Sequence, residues 1–554
     1  MPHTYEWILK HPQKISDINE LVEVLKKLRG NNEDFEFEAP YEFALKKFSK
    51  TFVDNLNTSA ETILEFIKNN NPIIVHGDYD VDGQTATSIL WRTIYNDLNY
   101  KNVFPYIPNR FDEGYGLSAE SIKGMNEVLK NFVSQPKLIV TVDCGIVSID
   151  EVELAKKEGY KVIISDHHHH KEKLPDTLCV WTDQATGAGI SWLIAQTLLR
   201  KSNINQPKKY SSLGAMGTIC DLQPLLGFNR NLSILGLQEL NDSPLVGIDA
   251  IKKASAISDA LDTYSIGWKI GPRLNATGRL ESAFDSLRIL CTDSIEQATT
   301  LASNLNNLNE QRQNKTVFGL EQAVKFLDKK NISENLPKFI LAYDENFHEG
   351  VIGLIAGKLV QKFYRPSIVM AVDKETGLAK GSARSIEGVS IIDSIRKFEH
   401  LFEKSGGHEM AAGFTIKVEN IPLLDKALNE LNDWLPDVFV PKIKIDAEIP
   451  AKLINENTFE KIHSLKPFGA GNPEPVFKIK NIKVFNTQRF GKENQHLKIF
   501  LAGENDARIT GLIFNFNPNN EVPRNDAHID VAASLSANTW NGRTSIELNI
   551  KDLS

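Results

Sequence analysis

The sequence predicts an α/β protein of several domains: a doubly wound parallel sheet, a long helical linker, a second and smaller α/β domain, and a C-terminal β-domain. Apolar segments alternate with helical segments between residues 60 and 225, and a shorter region after residue 336 repeats the alternation. From about residue 475, short runs alternate apolar and polar residues, as in a small barrel or sandwich. A chain of 554 residues is also too long for one core, so two to four domains are expected.

The first region begins with the helical segment ETILEFIKNN and the strand PIIVHGDYD. The helix QTATSILWRTIYNDL, the strand KLIVTVDCG, the helix SIDEVELAKKEG and the strand KVIISDHH follow in that order. Such alternation predicts a mostly parallel sheet, in which ligands gather beyond the carboxyl ends of the strands.

The remaining segments are assigned by the same patterns. Residues 1–45 are predicted to be a short helical extension without an inferred function, and the polar residues 281–335 a long helical linker. The second α/β region starts at the strand FILAYDE and contains KGSARS and SGGHEMAAG, both predicted as turns. The predicted domains are 1–45, 46–280, 281–335, 336–436 and 437–554.

Composition narrows the class of protein. The four cysteines are scattered without CxxC spacing, which argues against a disulfide framework and favours a reducing cytoplasm. No apolar run reaches the roughly 18–20 residues of a membrane span, and the N-terminal residues lack the pattern of a signal peptide. We therefore expect a cytoplasmic protein without a membrane partner.

Charge argues against indiscriminate binding to nucleic acid, because the formal net charge is −8. A local excess of +6 nevertheless lies within residues 461–500, where eight basic residues stand against Glu474 and Glu493. It indicates either a groove for a nucleic-acid backbone or a solvated basic face. The eight residues are Lys461, Lys466, Lys478, Lys480, Lys483, Arg489, Lys492 and Lys498.

Three of the predicted strands end on residues that commonly bind metal ions. HGDYDVDG places His76, Asp78, Asp80 and Asp82 at alternating positions, VDCG contributes Asp143, and SDHHHH contributes Asp166, His167 and His168. A lone aspartate there is more often a helix cap, but carboxylates this close would repel one another without a cation.

Oxygen ligands mixed with imidazole favour Mn²⁺ or Mg²⁺. Asp143, alone at the end of its strand, is the candidate to bridge two ions about 3.5–4 Å apart, which would activate water for attack on phosphorus. His169 and His170 are expected to be exposed loop residues.

Together these segments resemble the DHH phosphoesterases, which are named for an Asp-His-His sequence like that at 166–168. The wider resemblance, over about residues 70–500, is to the RecJ family of single-strand-specific 5′→3′ DNA exonucleases. It implies a DHH catalytic domain (46–280), a DHHA1-type domain (336–436) and an OB-fold (437–554). Further segments that carry it are PNRFDEGYGLS, GAG, GTICDLQPL, GPRLNATGRLESA, NFHEGVIGLIAGKL, KGSARSI, GGHEMAAGFT and LKPFGAGNPEPVF.

The resemblance implies a set of metal ligands completed by either His76 or Asp78. A His-x-x-x-Asp-x-Asp arrangement in the wider superfamily favours His76, but many RecJ sequences have an apolar or aromatic residue there. Asp221 comes from the resemblance alone, because GTICDLQPL otherwise reads as a helix-to-loop junction. The other implied ligands are Asp80, Asp82, Asp143 and His167.

Catalytic roles are implied for Asp143, His168 and His408. His168 would contact the attacked phosphate or orient a ligand, and a structural hydrogen bond is the alternative. His408, with Gly406 and Gly407, would bind near the scissile phosphate through a glycine-rich turn, and a buried capping histidine is the alternative.

The resemblance also implies residues that bind the DNA strand. Arg110, Ser382 and Arg384 would hold the 5′-terminal phosphate, and Asn275 and Arg279 would contact the backbone. Tyr115 and Phe111 would stack on bases or block a duplex, whereas Phe347 is expected in the core. For a single arginine, a surface salt bridge remains the alternative.

The residues predict metal-dependent hydrolysis of phosphate esters. The resemblance further implies a single-strand-specific 5′→3′ exodeoxyribonuclease that releases 5′-mononucleotides and acts in DNA repair and recombination. Two Mn²⁺ or Mg²⁺ ions are the expected cofactors. Single-stranded DNA is the expected partner of a monomer, with a helicase and a single-strand-binding protein as candidate protein partners. The alternatives are a DHH phosphodiesterase acting on short oligonucleotides or cyclic dinucleotides, and a non-catalytic replication scaffold.

Overall fold

The described residues form three β-sheets in the computed structural model of the protein. The chain divides into a parallel-sheet unit, Arg29–Asn309 with Leu465–Glu474, and a barrel unit, Met1–Leu28 with Glu310–Ser464 and Pro475–Ser554. The structure describes residues 5–15, 17–109, 112–114, 116–132, 135–170, 172–329, 336–503, 508–516, 521–540 and 543–554.

The N-terminal segment begins with a strand, which corrects the prediction of a helical extension. β1 (Glu6–Lys14) pairs in parallel with residues 442–448, and α1 (Ile18–Arg29) follows it. The Trp7 Nε1–H donates to Asp552 at 2.8 Å. A short apolar stretch is compatible with either helix or strand, and here a partner strand far along the chain decides between them.

A five-stranded sheet in the order β3-β2-β4-β5-β6, parallel throughout, forms the centre of the parallel-sheet unit. The predicted doubly wound class is thus confirmed. Its strands are β2 (Ile73–Gly77), β3 (Val103–Tyr106), β4 (Lys137–Val142), β5 (Tyr160–Asp166) and β6 (Leu178–Trp181). Its helices are α2 (Pro40–Lys47), α3 (Lys50–Lys68), α4 (Val81–Arg92), α5 (Ala119–Val128), α6 (Ile149–Lys157), α7 (Gly187–Lys201), α8 (Ser211–Cys220), α9 (Gly227–Asp242), α10 (Val246–Ala254), α11 (Thr263–Ser265), α12 (Gly271–Leu280) and α13 (Phe284–Cys291).

Both faces of this sheet are buried, which explains why its strands are continuous apolar runs. Val75 and Val140 belong to one hydrophobic cluster, while their neighbours Ile74 and Ile139 belong to another. Polar side chains can therefore reach solvent from the central strands only at the strand ends.

The long helix α14 (Ile295–Lys329) precedes a mixed sheet of order β10-β11-β9-β8-β7 in the barrel unit. β7 and β8 are parallel, and the other pairs are antiparallel. The strands are β7 (Ile340–Asp344), β8 (Ser367–Asp373), β9 (Leu378–Arg384), β10 (Phe402–His408) and β11 (Ala411–Lys417), with helices α15 (Ile352–Phe363), α16 (Ile391–Arg396) and α17 (Ile421–Glu430).

Two predicted turns in this region are strands. KGSAR lies in β9, where Ala379, Gly381 and Ala383 are buried and the residues between them are not. SGGH ends β10, and Gly406 and Gly407 pair with residues of β11. Small residues that suggest turns in the sequence here allow close packing within a sheet.

The C-terminal strands form a barrel, which confirms the predicted OB-type domain. The sheet order is β1-β12-β13-β14-β15-β17-β16, and β16 also pairs with β13, so that five strands close on themselves. The remaining elements are β12 (Lys442–Glu448), α18 (Glu456–His463), β13 (Phe477–Phe490), β14 (His496–Ala502), β15 (Arg508–Ile513), β16 (His528–Trp540) and β17 (Arg543–Leu553).

Shorter helical turns occur in both units. π-Helical turns cover Thr93–Asp97 and Ile266–Ile270. The 3₁₀ turns are Asn32–Phe35, Lys130–Phe132, Glu399–Leu401, Val418–Asn420, Pro436–Phe439 and Ala451–Leu453. Among the helices that the structure describes, none combines the length and the apolar character needed to cross a membrane.

Candidate metal centre

The carboxyl ends of β2, β4 and β5 bring together most of the predicted ligands. They form three groups, in each of which one ligand atom per residue lies within 4.8 Å of the others. Asp143 and His167 each belong to two groups, so the three groups make one continuous cluster. The groups are Asp78, Asp80 and Asp143; Asp82, His167 and Asp221; and Asp143, His167 and His168.

Helix N-termini hold two of the aspartates in place. Asp80 is the N-cap of α4 and accepts the Gly83 N–H at 3.1 Å. Asp82, in the first turn of α4, accepts the N–H groups of Gly187 and Ala188 at 2.7 and 3.0 Å. Because those amides begin α7, the positive end of that helix stabilises the buried Asp82 carboxylate.

Close backbone approach makes glycine necessary at several points of the cluster. A Cβ atom on Gly187 would lie 2.4 Å from the Asp143 Cβ, and one on Gly217 would lie 2.4 Å from Asp82 Oδ1. Asp143 itself adopts a left-handed conformation, with φ of 62°. The cluster is therefore held together by constrained backbone as well as by side chains.

Crowding of buried carboxylates changes their acidity. Burial, and then the charges of Asp82 and Asp80, raises the pKa of Asp143 well above its usual range. Burial and the charge of Asp82 raise the pKa of Asp80. Burial and the charges of Asp82 and Asp80 raise the pKa of Asp221 to about 8. Such mutual repulsion is relieved by a bound cation, so the donor set fits a divalent metal ion.

His167 faces the carboxylates of the cluster. Its Nε2 lies 3.0 Å from Asp143 Oδ1, 3.7 Å from Asp82 and 3.9 Å from Asp221. Burial lowers the pKa of His167, which favours the neutral form that a metal ligand requires.

His168 is held by Asp166 at the edge of the cluster. His168 Nδ1 lies 2.8 Å from Asp166 Oδ1, and Asp166 also accepts the Ile146 and His167 N–H groups at 2.9 and 2.7 Å. Although burial opposes it, the Asp166 hydrogen bond raises the pKa of His168 to about 9. His168 is therefore a cation at neutral pH in the metal-free protein, and Asp166 fixes the orientation of its ring.

His76 lies outside the three groups, whereas Asp78 lies inside one of them. The buried His76 ring stacks on Tyr106 at 5.6 Å, and its Nδ1 lies 3.6 Å from Cys144 Sγ. Burial lowers the pKa of His76 to about 4. Asp78, unlike His76, is thus grouped with Asp80 and Asp143 closely enough for the three to hold one ion.

The predicted DNA-binding residues fall in different parts of the chain. Arg110, Phe111 and Tyr115 lie outside the described residues. Asn275 and Arg279 are half-buried on α12, which touches the ligand segment: a Cβ on Gly278 would lie 3.0 Å from the Tyr79 carbonyl oxygen.

Ser382 and Arg384 lie on one face of β9 in the barrel unit. Arg384 Nη1 donates to Ser382 Oγ at 3.1 Å, and a Cβ on Gly353, at the start of α15, would lie 2.9 Å from both side chains. Gly406, Gly407 and His408 are exposed at the end of edge strand β10. Exposure rules out the alternative of a buried capping role for His408, whereas Phe347 is buried in the core and His169 and His170 are exposed, as predicted.

Part of the predicted basic strip is neutralised within the barrel unit. Three of its lysines form ion pairs at 2.9, 2.6 and 2.7 Å. These pairs are Lys478–Asp530, Lys480–Glu448 and Lys483–Asp526. Since the acidic partners lie outside residues 461–500, a local charge count could not detect them.

The sequence reasoning missed two parts of the site. These are the amides of Gly187 and Ala188 that bind Asp82, and the hydrogen bond by which Asp166 holds His168. The Thr-Gly-Ala-Gly sequence at 186–189 begins a helix, and a glycine-rich helix N-terminus is a known site for anions. That pattern could have indicated an acidic partner, but not which aspartate.

Comparison with protein families matches three parts of the chain. Residues 72–218 match the DHH family, N-terminal domain, residues 336–435 the DHHA1 domain, and residues 445–552 the RecJ OB domain. Each match falls within a domain predicted from the sequence.

Curated relatives named single-stranded-DNA-specific exonuclease RecJ cover most of the chain. The one from Bacillus subtilis (strain 168) is 32% identical over 536 residues, which span 94% of this chain and 65% of the relative. The one from Thermus thermophilus is 31% identical over 507 residues, spanning 90% of this chain and 71% of the relative.

Two solved structures of RecJ from Thermus thermophilus are similar to this chain over both units. The complex with Mn²⁺ has a TM-score of 0.76 at 29% identity and covers 90% of this chain and 71% of that one. The complex with Mg²⁺ has a TM-score of 0.73 at 27% identity, with coverages of 96% and 74%. The chain thus belongs to the RecJ family of single-stranded-DNA-specific exonucleases.

Proposed function

We propose that this chain is a metal-dependent exonuclease that hydrolyses single-stranded DNA from its 5′ end and releases 5′-mononucleotides. The main support is the cluster of carboxylates and imidazoles, because it contains three groups of potential metal ligands, two of which include Asp143. The OB-type barrel supports a strand as substrate, as do the names of the curated relatives. DNA repair and recombination, with a helicase and a single-strand-binding protein as partners, is the proposed cellular role.

The ligand set fits Mn²⁺ or Mg²⁺, because it consists of carboxylates with imidazole and no thiolate. We propose two ions, with Asp143 as the shared ligand. Bound divalent ions would neutralise the carboxylates and generate a water-derived nucleophile at neutral pH. The residues that would hold them are Asp78, Asp80, Asp82, Asp143, His167 and Asp221.

The side chains around the ions position the reacting groups. The α7 amides fix Asp82, and Asp166 fixes the ring of His168. Attack on phosphorus breaks its bond to the 3′-oxygen, and His168 is suited to bind the phosphate or donate to the leaving oxygen. Burial of the carboxylates keeps these interactions strong.

The direction of digestion is proposed to depend on recognition of the terminal phosphate. Arg384 presents a guanidinium beside the Ser382 hydroxyl on β9, and arginine binds phosphate bidentately. A site for a 5′-phosphate would select the end from which the strand is digested. Gly406, Gly407 and His408 are proposed to bind phosphate in the same unit, and Asn275 and Arg279 to bind the strand backbone in the other.

An end-labelled single strand, with or without a 5′-phosphate, tests the function when digested in Mn²⁺ and in Mg²⁺. We expect mononucleotides released from the 5′ end, and no cleavage by Asp143→Ala, which should still bind the strand. Faster cleavage of a dinucleotide than of the long strand would instead identify a short-oligonucleotide phosphodiesterase. Cleavage by Asp143→Ala at the normal rate would refute the metal assignment.

Substitutions on β9 test the phosphate site separately. Arg384→Ala and Ser382→Ala should reduce or remove the preference for a 5′-phosphorylated end. For Arg384→Ala, this preference should fall about tenfold to a hundredfold, as expected for loss of one charge-assisted contact of roughly 1.5–3 kcal/mol. Lys380→Ala is the matched control, because Lys380 lies on the same strand and pairs with Glu349 at 2.6 Å. If Arg384→Ala and Ser382→Ala keep the same preference for a 5′-phosphorylated end as Lys380→Ala, this site is excluded.

A further inference from the structure

Tyr264 and Trp268 form an exposed aromatic pair on the parallel-sheet unit. Their side chains are 61% and 70% exposed, far above what core residues show. The ring centroids lie 6.4 Å apart with the planes inclined at 32°. The residues are spaced i, i+4, so both project from one side of the helical segment.

The segment that carries the pair is anchored beside the metal cluster. Ile266 and Ile270, within its π-helical turn, are completely buried. The Ile266 carbonyl oxygen lies 4.0 Å from Cys220 Sγ, and Cys220 immediately precedes Asp221. The backbone that carries the two aromatic residues is therefore packed against the residue that precedes a predicted metal ligand.

The pair also continues a row of solvent-accessible residues along the helical segment formed by α11, the π-helical turn and α12. Positions 264, 268, 272, 275 and 279 are exposed or half-buried, with spacings of four, four, three and four. Such spacing places them on one face. Asn275 and Arg279 belong to this row, so it runs from the aromatic pair to the proposed backbone contacts. At 1.5 Å per residue, Trp268 lies roughly 16 Å along the axis from Arg279.

The chemistry around the pair suits a nucleobase better than a protein surface. Ser265, Ile266 and Gly267 separate Tyr264 from Trp268, and the partly exposed Lys269 follows Trp268. The neighbouring Asp262 carboxylate accepts the Ser265 N–H at 2.8 Å as a helix cap. Exposed aromatics along a path of phosphate contacts are the usual platform for bases of a single strand.

We propose that Tyr264 and Trp268 stack on bases of the single-stranded substrate a few nucleotides inward of the cleaved end. The pair would hold the strand in register between successive cleavages, with its contribution made to binding rather than to the chemical step. This inference rests on the proposed function, because it requires a single strand that extends beyond the metal centre.

Binding to oligonucleotides with one abasic site, moved position by position, tests the stacking. The measurement uses full-length protein carrying Asp143→Ala, so that the strand is not cleaved. Adding Trp268→Ala or Tyr264→Ala should weaken binding about fivefold to a hundredfold, the range for loss of one stacked base, while Trp268→Phe retains most of the affinity. An abasic site at one or two positions should weaken binding only when Trp268 is present.

Phe284→Ala is the matched control, because Phe284 is 45% exposed on α13 in the same unit. Circular dichroism checks that each variant is folded. With Asp143 intact, Trp268→Ala should raise KM for long strands and leave kcat, and cleavage of a dinucleotide, unchanged.

The two proposals fail in different ways. Absence of cleavage of single strands by the unmodified protein rejects the proposed function, and this inference with it. Normal cleavage together with equal affinities of Trp268→Ala and Phe284→Ala rejects the stacking role alone. A change of oligomeric state in Trp268→Ala without a change of affinity also overturns it, since the pair would then be a protein contact.

Discussion

Asp143 combines a left-handed backbone, a buried carboxylate and membership of two ligand groups. Each of these features is unfavourable for an aspartate in a metal-free fold. The strain and the repulsion are understandable if the residue is retained to hold cations. At the scale of single residues, the cluster is thus built for a charged ligand rather than for stability.

The first prediction concerns the pH dependence of stability without metal. The pKa of Asp221 is about 8 in the folded protein against an ordinary value of 3.8, so the folded state binds more protons than the unfolded chain between these values. The contribution of Asp221 to the free energy of unfolding therefore falls as pH rises through that window, whereas the lowered pKa of His76, about 4 against 6.5, acts in the opposite direction only below pH 6.5. His168, with a raised pKa of about 9, acts in the same direction as Asp221 between pH 6.5 and 9.

Thermal unfolding in a chelator should thus show a lower Tm at pH 8 than at pH 6, and Mn²⁺ should raise Tm more at pH 8, since it binds the deprotonated ligands. Without metal at pH 8, Asp143→Asn should be more stable than the unmodified protein, because an amide cannot acquire the charge that burial beside Asp82 and Asp80 makes unfavourable. The variant should also lose most of the Mn²⁺ effect. A metal-free Tm that does not change between pH 6 and 8 would contradict this electrostatic account.

The strand pattern predicted that most residues of this cluster lie together, but it did not predict their surroundings. Asp78, Asp80, Asp82, Asp143 and His167 could be found because parallel strands place their carboxyl ends at one edge. The amides that hold Asp82 come from residues 105 and 106 positions later, and no local pattern specifies that contact. Asp221 was found only by resemblance, because its helix-to-loop junction has no distinctive chemistry.

At the scale of elements, the N-terminus of α7 is packed directly against the cluster. Thr186 caps the helix by accepting the Gly189 N–H at 3.1 Å, which directs the first two amides toward Asp82. The absence of a side chain at Gly187 allows Asp143 to lie beside the helix. The helix therefore acts as a rigid support for two ligands from different strands.

Gly187→Ala should accordingly damage catalysis more than folding. Its Cβ would lie 2.4 Å from the Asp143 Cβ, and a displacement of about 1 Å at a reacting centre can cost roughly a hundredfold in rate. Stability should fall by about 1–3 kcal/mol from overpacking. Cleavage rate and urea unfolding measure the two effects.

Gly357→Ala is the control for this substitution. Gly357 lies in α15, and a Cβ there meets nothing within 4 Å. Alanine should leave cleavage unchanged and add about 0.5–1 kcal/mol of stability, since glycine is a poor residue for a helix interior. Normal cleavage by Gly187→Ala would show that Asp143 has room to move, contrary to the geometry.

The strands β9 and β10 show where element prediction fails. Glycine and serine in KGSAR and SGGH suggest turns, yet both segments pair fully with β11. The decisive contacts are cross-strand pairs such as Gly406 with Gly413, which are not visible in either segment alone. As a result, Ser382 and Arg384 lie on a rigid strand rather than on a loop.

At the scale of the whole molecule, the two ends of the chain meet in one sheet. β1 pairs with β12, and Trp7 donates to Asp552 near the C-terminus. The sequence predicted the order of the domains and the barrel, because each depends on patterns within about a hundred residues. It could not predict that the first strand joins the last domain, since strand pairing at this separation has no local signature.

The ion pair between β1 and β12 should contribute measurably to the barrel unit. Lys10 Nζ lies 3.1 Å from Asp446 Oδ1, and the Asp446 side chain is only 3% exposed. Asp446 also accepts the Val476 N–H at 3.0 Å, so it ties β1 to the segment that leads into the barrel. Removal of the lysine charge would take the Lys10 ion pair away from a buried carboxylate.

Lys10→Met keeps the length of the side chain and should lower the free energy of unfolding of this unit by about 1–3 kcal/mol, the range for a buried group that loses its partner. Lys442→Met is the matched control on the same strand pair, because the Glu6 partner at 3.7 Å is 53% exposed. A pair of that kind contributes at most about 1 kcal/mol. Urea unfolding and hydrogen exchange of the β1 and β12 amides measure both. Equal losses of unfolding free energy in the two variants would show that the buried Lys10–Asp446 pair stabilises the pairing of β1 with β12 no more than an exposed ion pair does.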